Sequence, residues 1–500
     1  MLLLPYEIIH LIFEFLRFDR HTLFSCVLLN RISSKIAISL LWKNPFIIDN
    51  NINNYQYATL IRTYFSCFTD VEKTYLKNNS ILINNITIPK FDYAFYLEEI
   101  IYCESIQNSI LYWILLEHRK YTKTQLNSVK DINQFKKSYR YLFNPLINSL
   151  YHMLLNNGKI KSLGISITTI KIMNNNDRIY FDSLNISNLS NLTIYLKDSI
   201  ENEYKENIES FNFILESIIK WCRDIKRIRI FNLLIFTNQQ KSLCKIQKII
   251  RVQRKIKKLE FYTPEHNIII NEILSNLKGL KFEYLKEIVL QGTDLSINSR
   301  LKGLTSVQSL KSLELCRCKG VSLLNIRILS ESSIVLKKLK FIDNEFSLGL
   351  VVSTIGKSLK ELITNQLDDE STEIIINYSI KTLKKLEVKV NLILTSLKSI
   401  NCLLKNSKLT HLKVIWFNDS SSQFVKSRIC LPKNLIYLGL FSFKGINLED
   451  LKCLLNNCFG LEILEISGID SYNNIDSLVD YIKLNIPLKS LIIDNNKNLL

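Results

Sequence analysis

Glycine and proline are scarce, 12 and 7 residues in a chain of 500, which leaves little material for flexible linkers or a long disordered tail. Alanine occurs only at Ala37, Ala58 and Ala94. The 11 cysteines are odd in number and follow no framework spacing, which excludes a disulfide scaffold and predicts a reducing compartment. No apolar run reaches membrane-spanning length, and Met1-Leu2-Leu3-Leu4 is stopped at once by Pro5, so a signal-peptide core is not expected. The expectation is a cytoplasmic or nuclear protein with no membrane partner. Catalytic patterns are missing too: there is no G-x-G-x-x-G, H-E-x-x-H or C-x-x-C. Gly356-Lys357-Ser358 has the tail of a phosphate loop, but Val351 stands where the first glycine belongs and Gly349 comes two positions too early. Cys316 and Cys318 have no nearby histidine, and His10, His21, His118, His152, His266 and His411 follow no pairing rule. No catalytic residue, metal or cofactor is expected, and the chain is not expected to be an enzyme.

What the chain has is a repeat. Thirteen times it writes a version of L-x-x-L-x-L, opening at Ile160, Leu189, Ile225, Ile256, Leu285, Leu310, Leu336, Leu359, Leu383, Leu409, Leu435, Leu461 and Leu488. In each hexamer the second and third apolar residues alternate with a variable one, so they share one side of a short strand. Amphipathic stretches such as Asn447 to Leu455 separate the copies and read as helices. The later copies recur about every 26 residues, and the pattern resembles the leucine-rich repeat. That resemblance implies an α/β horseshoe solenoid of about thirteen strand-helix repeats over residues 159–500, stable only by stacking. It also implies a buried Asn or Cys eight residues after the first apolar position, where Cys318, Asn344, Asn391 and Asn496 fall.

The net charge of +19 raises the question of a nucleic-acid partner. Strand parity predicts that Arg227, Arg229, Lys258, Lys338, Lys340, Lys385 and Lys413 face outward together with Glu260, Glu287, Glu314, Glu361, Glu387 and Glu465. Such mixed signs make no phosphate track, so nucleic acid is not the expected partner. The basic run Arg251 to Lys258 reads as a solvated face. The abundance of Lys, Ile and Asn beside so little Ala is also what an AT-rich coding sequence produces.

The start of the chain carries a second pattern. Leu4-Pro5-Tyr6-Glu7-Ile8 places Pro at a helix opening and Glu in its first turn. Apolar stripes then run through Ile8, Ile12 and Leu16, through Leu23 to Leu29 and through Ile36 to Trp42, which predicts three helices within residues 1–45. Leu4, Pro5, Glu7, Ile8, Ile12, Phe13, Leu16, Leu28, Leu41 and Trp42, with Cys26 to Arg31, resemble the F-box, although Ser33 replaces a customary Trp. A mere helical cap for the repeats would require none of this spacing. The resemblance implies an adaptor-binding surface at Leu4, Pro5, Glu7, Ile8, Ile12, Leu16, Leu28 and Trp42, gripped by a Skp-type adaptor and through it by a cullin-RING ubiquitin ligase. The repeats would then hold an unknown protein substrate on their outward strand positions, for which Lys338, Lys340, Glu361, Lys385, Glu387, His411, Lys413, Tyr437 and Glu465 are the candidates. Tyr437 is the expected anchor, beside Gly439, which leaves room for a partner. Residues 46–158 read as a helical connecting segment packed on the first repeats, with helical stripes at Tyr57 to Phe65, Tyr96 to Tyr102 and Ile110 to Leu116. A repeat scaffold without a ligase, or a basic binder of RNA or acidic partners, are the alternatives.

Overall fold

The computed structural model describes residues 5–46, 54–83, 89, 91–100, 103–117, 139–156, 159–166, 177, 180–181, 186–196, 201–231, 240–263, 273, 282–296, 304–305, 307–320, 334–390, 396–416, 429–441, 448–456, 458–467, 475–486 and 488–494. The chain divides into two compact units, Met1–Ile256 and Lys257–Leu500.

The first unit opens with three short helices, α1 (Tyr6–Phe15), α2 (Arg20–Val27) and α3 (Arg31–Leu41). Their ends are set by local chemistry. The Pro5 carbonyl accepts from the Ile8 and Ile9 amides at 3.1 Å, Asp19 caps α2 by accepting from the Thr22 amide, and Asn30 caps α3 by accepting from Ile32 and Ser33. Phe13, Leu23, Cys26, Ile36 and Ala37 form the core, with Ile9, Leu16, Val27, Leu40 and Leu41 packed against it. Next come α4 (Asn54–Ser66), α5 (Asp70–Asn78), a 3-10 turn at Tyr93–Tyr96, β1 (Glu99–Ile100), α6 (Cys103–Glu117) and α7 (Arg140–Asn156). The helical expectation holds over 57–65 and 110–116 but fails at Tyr96 to Tyr102. Leu97 and Ile100 are buried there, and Ile100 lies in a strand paired with Leu163. An apolar pair three apart suits a helix stripe and the first two positions of the repeat hexamer equally. The Lys161 and Ser162 amides, which donate to the Glu98 carbonyl at 2.8 and 3.1 Å, decide for the strand. Ile101 and Tyr102 lie outside the described residues.

Parallel strands β2 (Ser162–Ser166), β3 (Asn191–Tyr195) and β4 (Arg227–Phe231) continue this sheet, backed by α8 (Glu201–Trp221) and α9 (Gln240–Val252). Within the unit, the buried Glu72 carboxylate accepts from Thr69 and lies 2.7 Å from His152 Nδ1, tying α5 to α7. Burial alone would raise the Glu72 carboxyl, but the hydrogen bonds from His152 and Thr69 outweigh it and hold it below its ordinary range.

The second unit is regular. Strands β5 (Lys258–Tyr262), β6 (Glu287–Gln291), β7 (Ser312–Cys316), β8 (Lys338–Ile342), β9 (Glu361–Thr364), β10 (Lys385–Val390), β11 (His411–Trp416), β12 (Tyr437–Phe441), β13 (Ile463–Ser467) and β14 (Ser490–Asp494) pair in parallel, each with the next. In both units, β2 to β14 each begin two residues after one of the thirteen apolar positions read from the sequence. The fourth and sixth hexamer residues turn inward: Leu313, Leu315, Leu339, Phe341, Leu386, Val388, Leu412, Val414, Leu438 and Leu440 are all buried. Each fully buried side chain of this kind contributes roughly 1.5–3 kcal/mol. Helices α10 (Leu348–Ile355), α11 (Asp369–Tyr378), α12 (Leu397–Asn406), α13 (Leu448–Leu455) and α14 (Ile475–Asn485) follow strands, as the amphipathic stretches predicted. Ile400, Leu403 and Leu404 of α12 meet Leu386, Val388, Leu412 and Val414 in one packed layer.

The buried Asn and Cys positions behave as the repeat requires where they are described. Asn344 donates from Nδ2 to the Leu315 carbonyl and accepts at Oδ1 from the Cys318 amide, both at 2.9 Å. Asn391 and Asn496 lie outside the described residues. Burial pushes the Cys316 and Cys318 thiols up to about 12 and about 11, which keeps them protonated at neutral pH and unsuited to thiolate ligation. Gly292, at φ +68°, crosses a turn where a β-carbon would come within 2.0 Å of the Thr263 carbonyl oxygen. Among the described residues, no helix is long and apolar enough to cross a membrane.

Candidate protein-binding surfaces

The N-terminal bundle spends one stripe of α1 on its core and leaves another outside. Ile9, Phe13 and Leu16 turn inward, while Ile8, Leu11, Ile12 and Phe15, on the neighbouring side of the helix, are 42%, 56%, 44% and 87% exposed. Phe24, Leu28 and Leu29 around α2 are exposed as well. Of the residues predicted to bind an adaptor, Pro5, Glu7, Ile8, Ile12 and Leu28 are exposed. Leu16 is half-buried against the core. Trp42 is half-buried and packs on Tyr64 and Tyr93, with ring centroids 5.3 and 4.1 Å away, so it stabilises the bundle's junction with α4. Leu4 lies outside the described residues. Ser33 is buried near the start of α3 with its amide capped by Asn30. Leu11, Phe15, Phe24 and Leu29 were not among the residues expected to bind an adaptor, although the helical spacing of residues 8, 11, 12 and 15 marks a second stripe.

The outward strand face of the second unit is the other surface. Its first row runs in register through Lys258, Glu287, Ser312, Lys338, Glu361, Lys385, His411, Tyr437, Ile463 and Ser490. Its second row, two residues on, includes Glu314, Lys340, Glu387, Lys413, Gly439 and Glu465. Neighbouring strands neutralise one another across these rows. Lys338 meets Glu361 at 2.6 Å, Lys340 meets Glu314 at 2.6 Å, Lys413 lies 3.9 Å from Glu387, and Lys258 bridges Glu260 and Glu287 at 3.0 and 3.2 Å. Burial alone would lower the Lys258 ammonium, but its two carboxylates outweigh that and raise it. Apart from the pair made by the buried Glu260, these half-exposed pairs contribute little stability, roughly 0–1 kcal/mol each. What they do is leave the face electrically balanced.

A cluster of rings occupies β11 and β12. His411 stacks on Tyr437 with centroids 5.9 Å apart, the Tyr437 hydroxyl donates to Glu465, and Lys413 Nζ lies 4.4 Å from the centre of the Phe441 ring. Burial, helped by Lys385, holds His411 below its ordinary value, so it is neutral at neutral pH. Burial and the Glu465 carboxylate push the Tyr437 hydroxyl up. The room expected at Gly439 is already taken: a β-carbon there would lie 2.8 Å from both the Tyr437 hydroxyl and the Phe441 ring. The surface there presents the rings of Tyr437 and Phe441 closed over the glycine, not a free tyrosine beside a gap. Outward Ile463 and Ile492, not among the residues expected to contact a substrate, extend this ring cluster with apolar side chains, and Ile492 is 45% exposed.

No protein-family model matches the chain, and no curated protein matches it. Among solved structures, an internalin from Listeria monocytogenes is similar to it with a TM-score of 0.28 and 13% identity, over 69% of this chain and 85% of that one. The strands themselves carry the architecture: a parallel array of strand repeats, with their Leu-x-x-Leu spacing in register from strand to strand.

Proposed function

We propose that this chain is a non-catalytic protein-binding subunit whose N-terminal bundle docks a Skp-type adaptor while its repeat strands hold a protein substrate. In that role it is the substrate-recognition subunit of an SCF-type cullin-RING ubiquitin ligase. The observation that carries the proposal is the exposed apolar stripe of Ile8, Leu11, Ile12 and Phe15 on a bundle whose own core has five buried residues. A core that small is marginal, and a partner covering the stripe stabilises it. The F-box resemblance of Pro5, Glu7, Ile8 and Ile12 names the partner's class, and the repeat face supplies a second, chemically different surface. Function follows from proximity: a substrate tethered to the ligase meets the ubiquitin-charged enzyme at a high effective concentration, with no bond made or broken by this chain.

The test is capture of a Skp-type adaptor by the intact protein and by an Ile8→Ser, Ile12→Ser, Leu28→Ser variant. All three side chains are exposed, so the variant folds. Capture by the first and loss in the second supports the ligase role. A folded protein that captures nothing leaves the repeat scaffold as the reading, since that role is indifferent to these positions.

A further inference from the structure

Ion pairs run across the outward rows of the second unit, but not along the position just before six of its strands. It is occupied in six successive repeats by Lys257, Lys286, Lys311, Lys337, Lys360 and Lys384. Their main chains form a continuous ladder in which the amide of each donates to the carbonyl of the one before: Lys286 to Lys257 at 2.9 Å, Lys311 to Lys286 at 2.9 Å, Lys337 to Lys311 at 2.8 Å, Lys360 to Lys337 at 2.8 Å and Lys384 to Lys360 at 2.9 Å. Lys337 is half-buried and the other five are exposed. Among the described residues none of the six has an ion-pair partner, unlike Lys258, Lys338 and Lys340 one or three positions later. Glu283 is the one acid among the described residues just before the ladder, where Tyr284, Ser309, Val335, Ser358 and Thr382 stand. Beyond Lys384 the position passes to Thr410, Ile436, Glu462 and Lys489, and Lys489 pairs with Glu462 at 2.9 Å, so the row of unpaired lysines has a definite end. Drift in codon usage scatters lysines along a chain; it does not align six of them at one register.

We infer that this lysine ladder binds an acidic helical segment of a protein partner. The inference rests on the proposal above only in taking the partner to be a protein. Strands ~4.8 Å apart place the six ammonium groups over ~24 Å. Acids three or four apart on an α-helix lie ~5–6 Å from one another, and a helix covers that length in about 16 residues. The phosphates of a duplex strand wind around the helix axis, so a straight row of ammonium groups meets only a few of them before the strand turns away. Single-stranded nucleic acid also needs a series of stacking rings, and the flank offers Tyr284 among Ser309, Val335, Ser358 and Thr382. Lysine, a flexible point charge, suits carboxylates on a helix that need no bidentate geometry.

The test uses the full chain and a fluorescent helical peptide of about 16 residues with Glu along one stripe, beside an oligouridylate of equal charge. Two variants remove the same charge: Lys286→Gln, Lys311→Gln, Lys360→Gln, Lys384→Gln in the ladder, and Lys220→Gln, Lys241→Gln, Lys248→Gln, Arg254→Gln in the first unit. The intact protein binds the peptide, the ladder variant loses about tenfold in affinity, and the control stays within about twofold. Equal losses in both variants would reduce the effect to net charge and overturn the inference. So would no binding at low salt, or tighter binding of the oligouridylate. Capture of the Skp-type adaptor is read in parallel, and the ladder variant retains whatever capture the intact protein shows, so the two proposals fail separately.

Discussion

The N-terminal bundle and the repeat array answer the same problem in opposite ways. The repeats of the array turn two or three apolar side chains inward and cover them with the next strand and, among the described residues after β8, β9, β10, β12 and β13, a helix, so that Leu339, Phe341, Leu386 and Leu412 are almost wholly buried. The bundle has too few residues to do this. Phe13, Leu23, Cys26, Ile36 and Ala37 close its core, and large side chains such as Phe15 and Leu28 remain 87% and 77% exposed. Polar surfaces differ as well: on the array, opposite charges meet across neighbouring strands, whereas on the bundle the apolar stripe meets water. Stacking makes a structure that satisfies itself; a three-helix fragment leaves its surplus for something else to cover.

That contrast can be broken at its strongest point. Phe341→Ala removes a ring buried in β8 and is expected to lower stability by about 3–5 kcal/mol, measured by denaturant unfolding. A loss under about 1 kcal/mol would mean that the repeats do not share a continuous core. Phe13→Ala attacks the bundle's own centre and is expected to cost about 3 kcal/mol locally. Hydrogen exchange should then rise across Tyr6–Leu41 while the amides of β7 to β12 stay protected; uniform loss of protection would erase the distinction between the two regions. The surface variant Ile8→Ser, Ile12→Ser, Leu28→Ser is expected to change stability by no more than about 0.5 kcal/mol, because these side chains already face water. A large loss would place them in the core instead.

The smallest effect is expected from pH. His411 is held below its ordinary value of 6.5 by burial and by Lys385. The unfolded chain therefore binds the proton more readily, and stability falls as pH drops from about 6.5 toward the folded value. His411→Gln should flatten that part of the stability profile, and Lys385→Gln should shift it upward. An unchanged profile in both would remove His411 from the set of coupled groups on this face.

Much of the fold was legible because alternation leaves few choices. An apolar residue followed three and five positions later by two more can bury all three only as a strand, and β2 to β14 begin where that spacing placed them. Asn344 and Cys318 were legible too, since the turn after each strand needs buried polar partners. Strand β1 was not, because Leu97 and Ile100 fit a helix as well as a strand until Lys161 and Ser162 pair with Glu98. The lysine ladder is present in the sequence but stands one residue before the strand positions whose parity turns them outward.

By itself the sequence determined which residues turn inward, where the strands start and which side chains face out, because these follow from periods of two and 3.6 residues. It also marked Pro5, Ile8 and Ile12 as the edge of a surface the bundle cannot cover. Only the tertiary structure decided who meets whom. Lys338 and Glu361 are far apart in the chain and come within 2.6 Å through register; Trp42 turns to Tyr64 and Tyr93; Tyr437 and Phe441 close over Gly439. Pairings between distant residues depend on the register of separate strands and on rotamers chosen by packing, and neither quantity is periodic along the chain.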